Sequence, residues 1–257
     1  MKKIISIALV LVLAVTMLAA FTACGTKEET KQTLVMATNA AFPPYEYKDG
    51  DNFAGIDVEI AGKIAEKLGM ELKIEDVEFG SIIGGVQTGK FDMGMAGMTV
   101  TEERKESVNF SDTYQTAKQV VIVKADSTIK SLDDLKADGS MKFGVQQDTT
   151  GDIYASDTVE NGGYGEENII RYKVGADAVQ ALVSDKVQAV IIDNEPAKEF
   201  VKANEGLVIL DGAWVEEEYA ICVSKDNEEL LTKINAALAE LKADGTIQSI
   251  VDKYITA

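Results

Sequence analysis

From Leu34 onward, short apolar runs alternate with stretches whose apolar residues recur at helical spacing, and this alternation limits the possible folds more than any other feature. "LVMATN", "LKIEDVEF", "FDMGMAG", "KQVVIVK", "MKFGVQ", "NIIRYK", "VQAVIID", "GLVIL" and "EYAICVS" read as strands. Ile56 to Leu68 places Ile60, Ala61, Ile64, Ala65 and Leu68 on one helical face, and further helical patterns fall at "ADAVQALVSD", "NEPAKEFVKAN" and Glu228 to Ala243. Strands separated by helices connect through crossovers, which predicts an α/β fold of mostly parallel sheets flanked by helices. With 257 residues, 46% hydrophobic and 26% charged, the chain has room for one large domain or two ordinary ones.

Two segments share a plan. "SIIGGVQTGKFDMGMAG" (81–97) and "DAVQALVSDKVQAVIID" (177–193) each run from an apolar helix through a polar turn with lysine into a strand. We read them as two similar βαβ lobes. Open α/β sheets bind ligands outside the carboxyl ends of their strands. That rule singles out Gly97-Met98-Thr99 in one lobe and Asp193 in the other.

Charge and composition remove several functions. The formal net charge of −18 repels nucleic-acid phosphate and anionic lipid, so no nucleic-acid partner is expected. The chain has no histidine, which rules out Ser-His-Asp and Cys-His catalysis and HExxH zinc sites. No metal and no cofactor are expected. "GGVQTGK" (84–90) has the glycine and lysine spacing of a phosphate loop, but Phe91 holds the Ser/Thr place and the segment precedes a strand.

The first residues read as a targeting signal. Met1-Lys2-Lys3 gives a positive start, Ile4 to Ala20 is almost wholly apolar, and "FTACG" closes the run with small residues. Cys24 at that position resembles the lipobox cysteine of bacterial lipoproteins. The resemblance implies a signal peptide over 1–23, lipid on Cys24, and a polar tether over 24–32. Cys222 then has no disulfide partner and reads as a small buried hydrophobe.

"MAGMTVTEERK" (95–105) poses the question of function. If Thr99 caps the following helix, Glu102 completes a capping box. If Thr101 caps it, Arg104 takes the third position, where a cation opposes the helix dipole. An arginine so placed suits a carboxylate held bidentately, with Gly97 and Thr99 adding backbone and hydroxyl donors. Across the cleft, Asp193 suits an ammonium. Opposite charges on opposing walls describe a receptor for a zwitterion, the commonest being a free amino acid. "QQDTTGD" (146–152) adds Thr149 and Thr150 as a second anion-binding candidate at a helix start. The plainer alternatives are a surface ion pair for Arg104 with Glu102, Glu103 or Asp112, and a helix-capping role for Asp193, Thr149 and Thr150.

The motifs "ATNAAFPPYEY", "AGIDVEIAGKIAEKLG", "DMGMAGMTVTEERKESVNFSDTY", "GVQQDTTGDIYA", "AVIIDNEPA" and "LAELKADGTIQSIVDKY" occur in that order. Together they resemble the extracytoplasmic solute-binding proteins of polar-amino-acid ABC transporters, solute-binding family 3. The resemblance implies a two-lobed periplasmic-binding-protein-like fold (type II), hinged by two crossing segments near 115–119 and 215–219. One lobe would span 33–115 plus 220–257 and the other 116–219. It implies a monomer that delivers an amino acid to ABC-transporter permease subunits. It also implies that Arg104, Gly97, Thr99, Thr149 and Thr150 bind the ligand carboxylate and Asp193 the ammonium. Phe42 and Phe79 would sandwich the ligand side chain, and Asn39 would line its far end. Asp148 departs from the pattern, standing where relatives commonly carry glycine. Two rival readings are a sensory receptor acting through a separate membrane partner, and a dehydratase-like enzyme with Glu46 or Glu78 as general acid or base.

Overall fold

The computed structural model describes residues 32–255. The leader, Cys24 and the tether up to residue 31 lie outside them. The chain lays down β1 (Thr33–Thr38), a small hairpin sheet of β2 (Ala41–Phe42), β3 (Glu46–Asp49) and β4 (Asn52–Ala54), then α1 (Ile56–Leu68) and β5 (Glu71–Asp76). It continues through α2 (Ser81–Gln87), β6 (Met93–Gly94), α3 (Glu102–Ser107) and β7 (Val108–Phe110). The long β8 (Gln115–Lys124) opens the second lobe, followed by β9 (Phe143–Gln146), α4 (Thr150–Ser156), β10 (Ile169–Tyr172) and α5 (Gly175–Val183). Then come β11 (Ala189–Asp193), α6 (Asn194–Ala203), β12 (Leu207–Ile209) and β13 (Val215–Tyr219). The chain returns to the first lobe as β14 (Cys222–Ser224), α7 (Glu228–Ala243) and α8 (Thr246–Tyr254).

Each lobe is built on one sheet, ordered β5-β1-β6-β14-β7 in the first and β10-β9-β11-β8-β12 in the second, with β13 added on β8. The expectation of mostly parallel sheets needs correction. β5-β1-β6 and β10-β9-β11 are parallel, whereas β14, β7, β8, β12 and β13 pair antiparallel. A parallel neighbour requires a crossover within the lobe. β8 and β14 instead arrive from the opposite lobe, so they enter their sheets from the other end. The run "EYAICVS" is cut by the same event: Tyr219 ends β13 in one sheet and Cys222 begins β14 in the other.

The two matched segments fall as expected, with helices ending at Gln87 and Val183 and strands opening at Met93 and Ala189. The apolar runs are continuous because both faces of the second sheet are covered. Val121, Val123 and Ile191 pack on one side with Phe143, Val145 and Tyr164, while Val120, Ile122, Val190 and Ile192 pack on the other. In the first lobe α1 packs on α7 and α8, burying Ile60, Ile64, Ile234, Leu238 and Ile247. Trp214 sits partly buried beside Tyr164, and Cys222 is a buried free thiol.

The crossings are laced together. The Ser111 N–H donates to Ile221 O at 2.9 Å, the Tyr114 N–H to Tyr219 O at 2.9 Å, and the Ile221 N–H to Ser111 Oγ at 3.0 Å.

Candidate functional site

Strand ends from both lobes converge on a small cavity lined by Asn39, Phe42, Glu46, Phe79, Ala96, Gly97, Thr99, Arg104, Gln146, Thr149, Thr150 and Asp193. All nine candidate residues from the sequence meet there. What each offers differs from the expectation in several cases.

Arg104 is placed by a local device. Thr101, not Thr99, caps α3, its hydroxyl accepting the Arg104 N–H at 3.1 Å. The Thr99–Glu102 capping box does not form, and Glu102 pairs with Lys105 on the surface. Arg104 turns inward and is only 7% exposed, so it is no surface ion-pair residue. Its Nη1 donates to Thr99 O at 2.8 Å and its Nη2 crosses to the other lobe, donating to Asp148 O at 3.0 Å. The Phe79 ring lies 5.3 Å from its Cζ, a cation–π contact. Among the described residues no carboxylate forms an ion pair with it. Burial pulls its pKa below the usual value, yet a guanidinium stays charged. Two of five N–H donors are in use, leaving three for an anion.

Gly97 lines the cavity, but its N–H is committed: it donates to Asp57 Oδ2 at 2.8 Å. The expected backbone donor therefore falls to Thr99. Gly97 has φ +50, and a Cβ there would stand 3.0 Å from Phe42 Cε1, so the position needs glycine on both counts. Asp57 also accepts from Tyr114 Oη at 2.8 Å, and the Glu46 carboxyl acts on it as a neighbour. Burial, opposed by these bonds, raises it to about 6. Glu46 is fully buried and pushed well above the usual carboxyl range by desolvation and by Asp57, and its Oε2 has no partner among the described residues.

On the facing lobe Asp193 precedes α6 but makes no side-chain capping bond, so the capping alternative fails. Gln119 Nε2 donates to its Oδ2 at 2.9 Å, and the Tyr219 hydroxyl donates to its Oδ1. Desolvation first, and then the neighbouring Glu217, raise Asp193 to about 8. Thr149 does act as a cap, accepting the Asp152 N–H at 3.4 Å and donating to Gln146 O at 2.8 Å. Thr150 Oγ1 lies 3.4 Å from Gln119 Nε2. Asp148 has φ +64, a left-handed backbone in which glycine is freer, which explains the departure at that position.

At the remaining wall Asn39 Nδ2 donates to Val77 O at 2.8 Å and its Oδ1 accepts from Gln146 Nε2 at 2.9 Å, across the lobes. Phe42 stacks on Tyr45 with centroids 6.0 Å apart. Glu78 stands outside the cavity in an exposed pair with Lys173, at 2.5 Å, so a buried acid–base role for it is excluded. Sequence reasoning named Glu46 only as an acid–base candidate of the dehydratase reading, and it missed Gln146 as a lining residue and Gln119, Glu217 and Tyr219 as the supports of Asp193. Gln146 ends a strand, so the rule that found Asp193 could have found it.

The bacterial extracellular solute-binding protein family 3 profile matches residues 34–257. The chain is 37% identical over 256 residues to the arginine-binding extracellular protein ArtP of Bacillus subtilis (strain 168), covering 96% of this chain and 97% of that one. It is 31% identical over 277 residues to the ABC transporter glutamine-binding protein GlnH of the same organism, covering 99% and 98%. Among solved structures, an ancestral arginine-binding protein bound to arginine is 40% identical with a TM-score of 0.79, covering 88% of this chain and 99% of that one. The same kind of ancestral protein bound to glutamine is 39% identical with a TM-score of 0.80, covering 88% and 99%. The chain belongs to the bacterial extracellular solute-binding proteins, family 3.

Proposed function

We propose that this protein captures a free amino acid between its lobes and delivers it to the permease of an ABC transporter. One observation carries the reading: a buried guanidinium without an ion-pair partner among the described residues and a buried carboxyl line the same cavity from opposite lobes. The three spare donors of Arg104, with the Thr99 N–H and Thr150 hydroxyl, suit the ligand carboxylate. Asp193 suits the ammonium, with the Gly97 carbonyl as a further acceptor.

The ligand we infer is cationic, of L-arginine's class. A zwitterion matches Arg104 and Asp193 and leaves Glu46 over, with its buried Oε2 unpaired among the described residues. Unpaired buried acceptors favour a donor-rich side chain. The arginine-binding names of similar proteins support this choice. Arg104–Asp148, Gln146–Asn39 and Glu78–Lys173 are contacts of the closed arrangement, and a ligand touching both walls shifts the population toward it. Bending belongs to the crossing segments near 115–119 and 215–219, between lobes of 33–115 plus 220–257 and 116–219. We read the protein as a monomer without catalytic activity, held outside the cytoplasmic membrane by lipid on Cys24.

A thermal-shift screen against the twenty amino acids tests the reading, because a ligand that binds the native state raises its melting temperature. L-Arginine is expected to give the largest shift. No shift with any amino acid would sink the proposal, and mass spectrometry showing turnover of the bound amino acid would sink its non-catalytic part.

A further inference from the structure

Behind Asp193 lies a polar cluster that the reading of the ligand site leaves unexplained. Gln119, wholly buried on β8, donates from one amide nitrogen to Asp193 Oδ2 and to Glu217 Oε2, each at 2.9 Å. Glu217, on β13, is 5% exposed, and its Oε1 is buried with no partner among the described residues. Gln119 Oε1 is buried and unpaired in the same sense. The one amide nitrogen thus holds an oxygen of each carboxyl at 2.9 Å, which brings two buried acids side by side. Two buried carboxylates so close repel each other, and a proton on one of them relieves the repulsion.

The other groups facing the pair do not supply a counter-charge of their own. Tyr219, Tyr45 and Tyr154 are neutral phenols whose pKa values burial raises, and Glu46 adds a further acid. Arg104 is the cation acting on the pair from the facing lobe, with two donors on carbonyls and the rest directed to the ligand carboxylate.

We propose that Glu217, held against Asp193 by the shared Gln119 amide, is a positioning residue that keeps a proton on the Asp193 carboxyl until a ligand arrives, and that seating the ligand ammonium on Asp193 expels that proton to solvent. The inference rests on the reading that Asp193 receives the ammonium. The exchange balances: the Asp193 O–H bond breaks, its electron pair stays on the carboxylate, the proton leaves to water, and the ammonium N–H takes the vacated place. The raised Asp193 value of about 8 agrees with this. Below it the site must lose a proton to bind, so affinity falls by up to about tenfold per pH unit on going from about 8 toward acid. Local acidity would therefore loosen the ligand without any change in the lobes' contacts.

Calorimetry with L-arginine, and in a second arm L-glutamine, at pH 7 in phosphate and in Tris tests the proposal, because the heat difference between buffers counts protons. The wild-type protein is expected to release close to one proton per ligand. Glu217→Gln is expected to lose half of that release or more, and its affinity should fall less steeply than that of the wild type between pH 8 and pH 6. A purely structural Glu217 would lower affinity equally at all pH values. Binding with no proton release by the wild-type protein would overturn the inference while leaving amino-acid capture standing, and so would full release by Glu217→Gln. Absence of binding by every amino acid would instead remove the ligand reading beneath it. The wild-type proton count stands whether or not the variant folds.

Discussion

Between Ser81 and Gly97 in one lobe, and between Asp177 and Asp193 in the other, the chain builds the same helix, turn and parallel strand at the same spacing. The two units finish differently. The first runs past its strand into Gly97, Thr99 and a short helix that turns Arg104 inward. The second stops on Asp193 itself, with its support drawn from the crossing strands through Gln119, Glu217 and Tyr219. The comparison teaches that the scaffold fixes where a ligand must lie, while the few residues after each strand decide the charge presented. One wall carries a buried cation with two donors on carbonyls and the others free for an anion. The other carries a crowded acid, which is poised to accept a cation.

The sharpest way to break this contrast is Arg104→Ala. It removes the cationic wall and is expected to weaken L-arginine binding by about 2–5 kcal/mol, roughly thirtyfold to several thousandfold, with the circular dichroism of the folded chain unchanged. Equal affinity by calorimetry would show that the walls do not divide the zwitterion. Asp193→Asn tests the opposite wall and should cost about 1.5–3 kcal/mol, since a charged hydrogen bond becomes a neutral one. The same variant carries a stability signature. Asp193 is raised to about 8, so its favourable contribution belongs to acid and is lost as pH rises through that value. The loss runs from the ordinary carboxyl range up to about 8; an amide at this position has no such loss, so the melting temperature of the Asp193→Asn variant relative to the wild type should climb from pH 5 to pH 8 and level off above. Glu46→Gln sharpens the assignment of the side-chain end: L-arginine affinity should drop about tenfold or more while L-glutamine affinity stays within about threefold. The smallest effect belongs to Glu78→Ala. Its pair with Lys173 is exposed, so L-arginine affinity should change by about 1 kcal/mol or less, shrinking further in high salt.

Periodicity made most of the fold legible. The helices at Ile56–Leu68 and Glu228–Ala243 appear with the bounds read from their apolar spacing. Sheet direction was not legible, because hydrophobic runs such as "KQVVIVK" show burial on both faces but not which end of the sheet the strand enters. The hairpin at 41–54 was invisible for another reason: its strands are two to four residues long. At the site, charge placed Arg104 and Asp193, and strand ends placed Gly97 and Thr99. The supporting shell was hidden. Glu217 lies in "VEEEY", where three successive glutamates look alike, and only pairing with β8 sends the middle one inward. Glu46 stands between Tyr45 and Tyr47 in a polar stretch, with nothing local to mark its burial.

The stitched crossings carry a mechanical consequence. Ser111 and Tyr114 on one passage are tied to Ile221 and Tyr219 on the other, so neither strip can flex without dragging its neighbour. If the lobes bend at these crossings, as we propose, two covalent tethers act as a single shared joint. Tyr219 belongs to these crossings and its hydroxyl also donates to Asp193 on the cavity wall, so a shift of the passages would reach the acid we propose for the ligand ammonium.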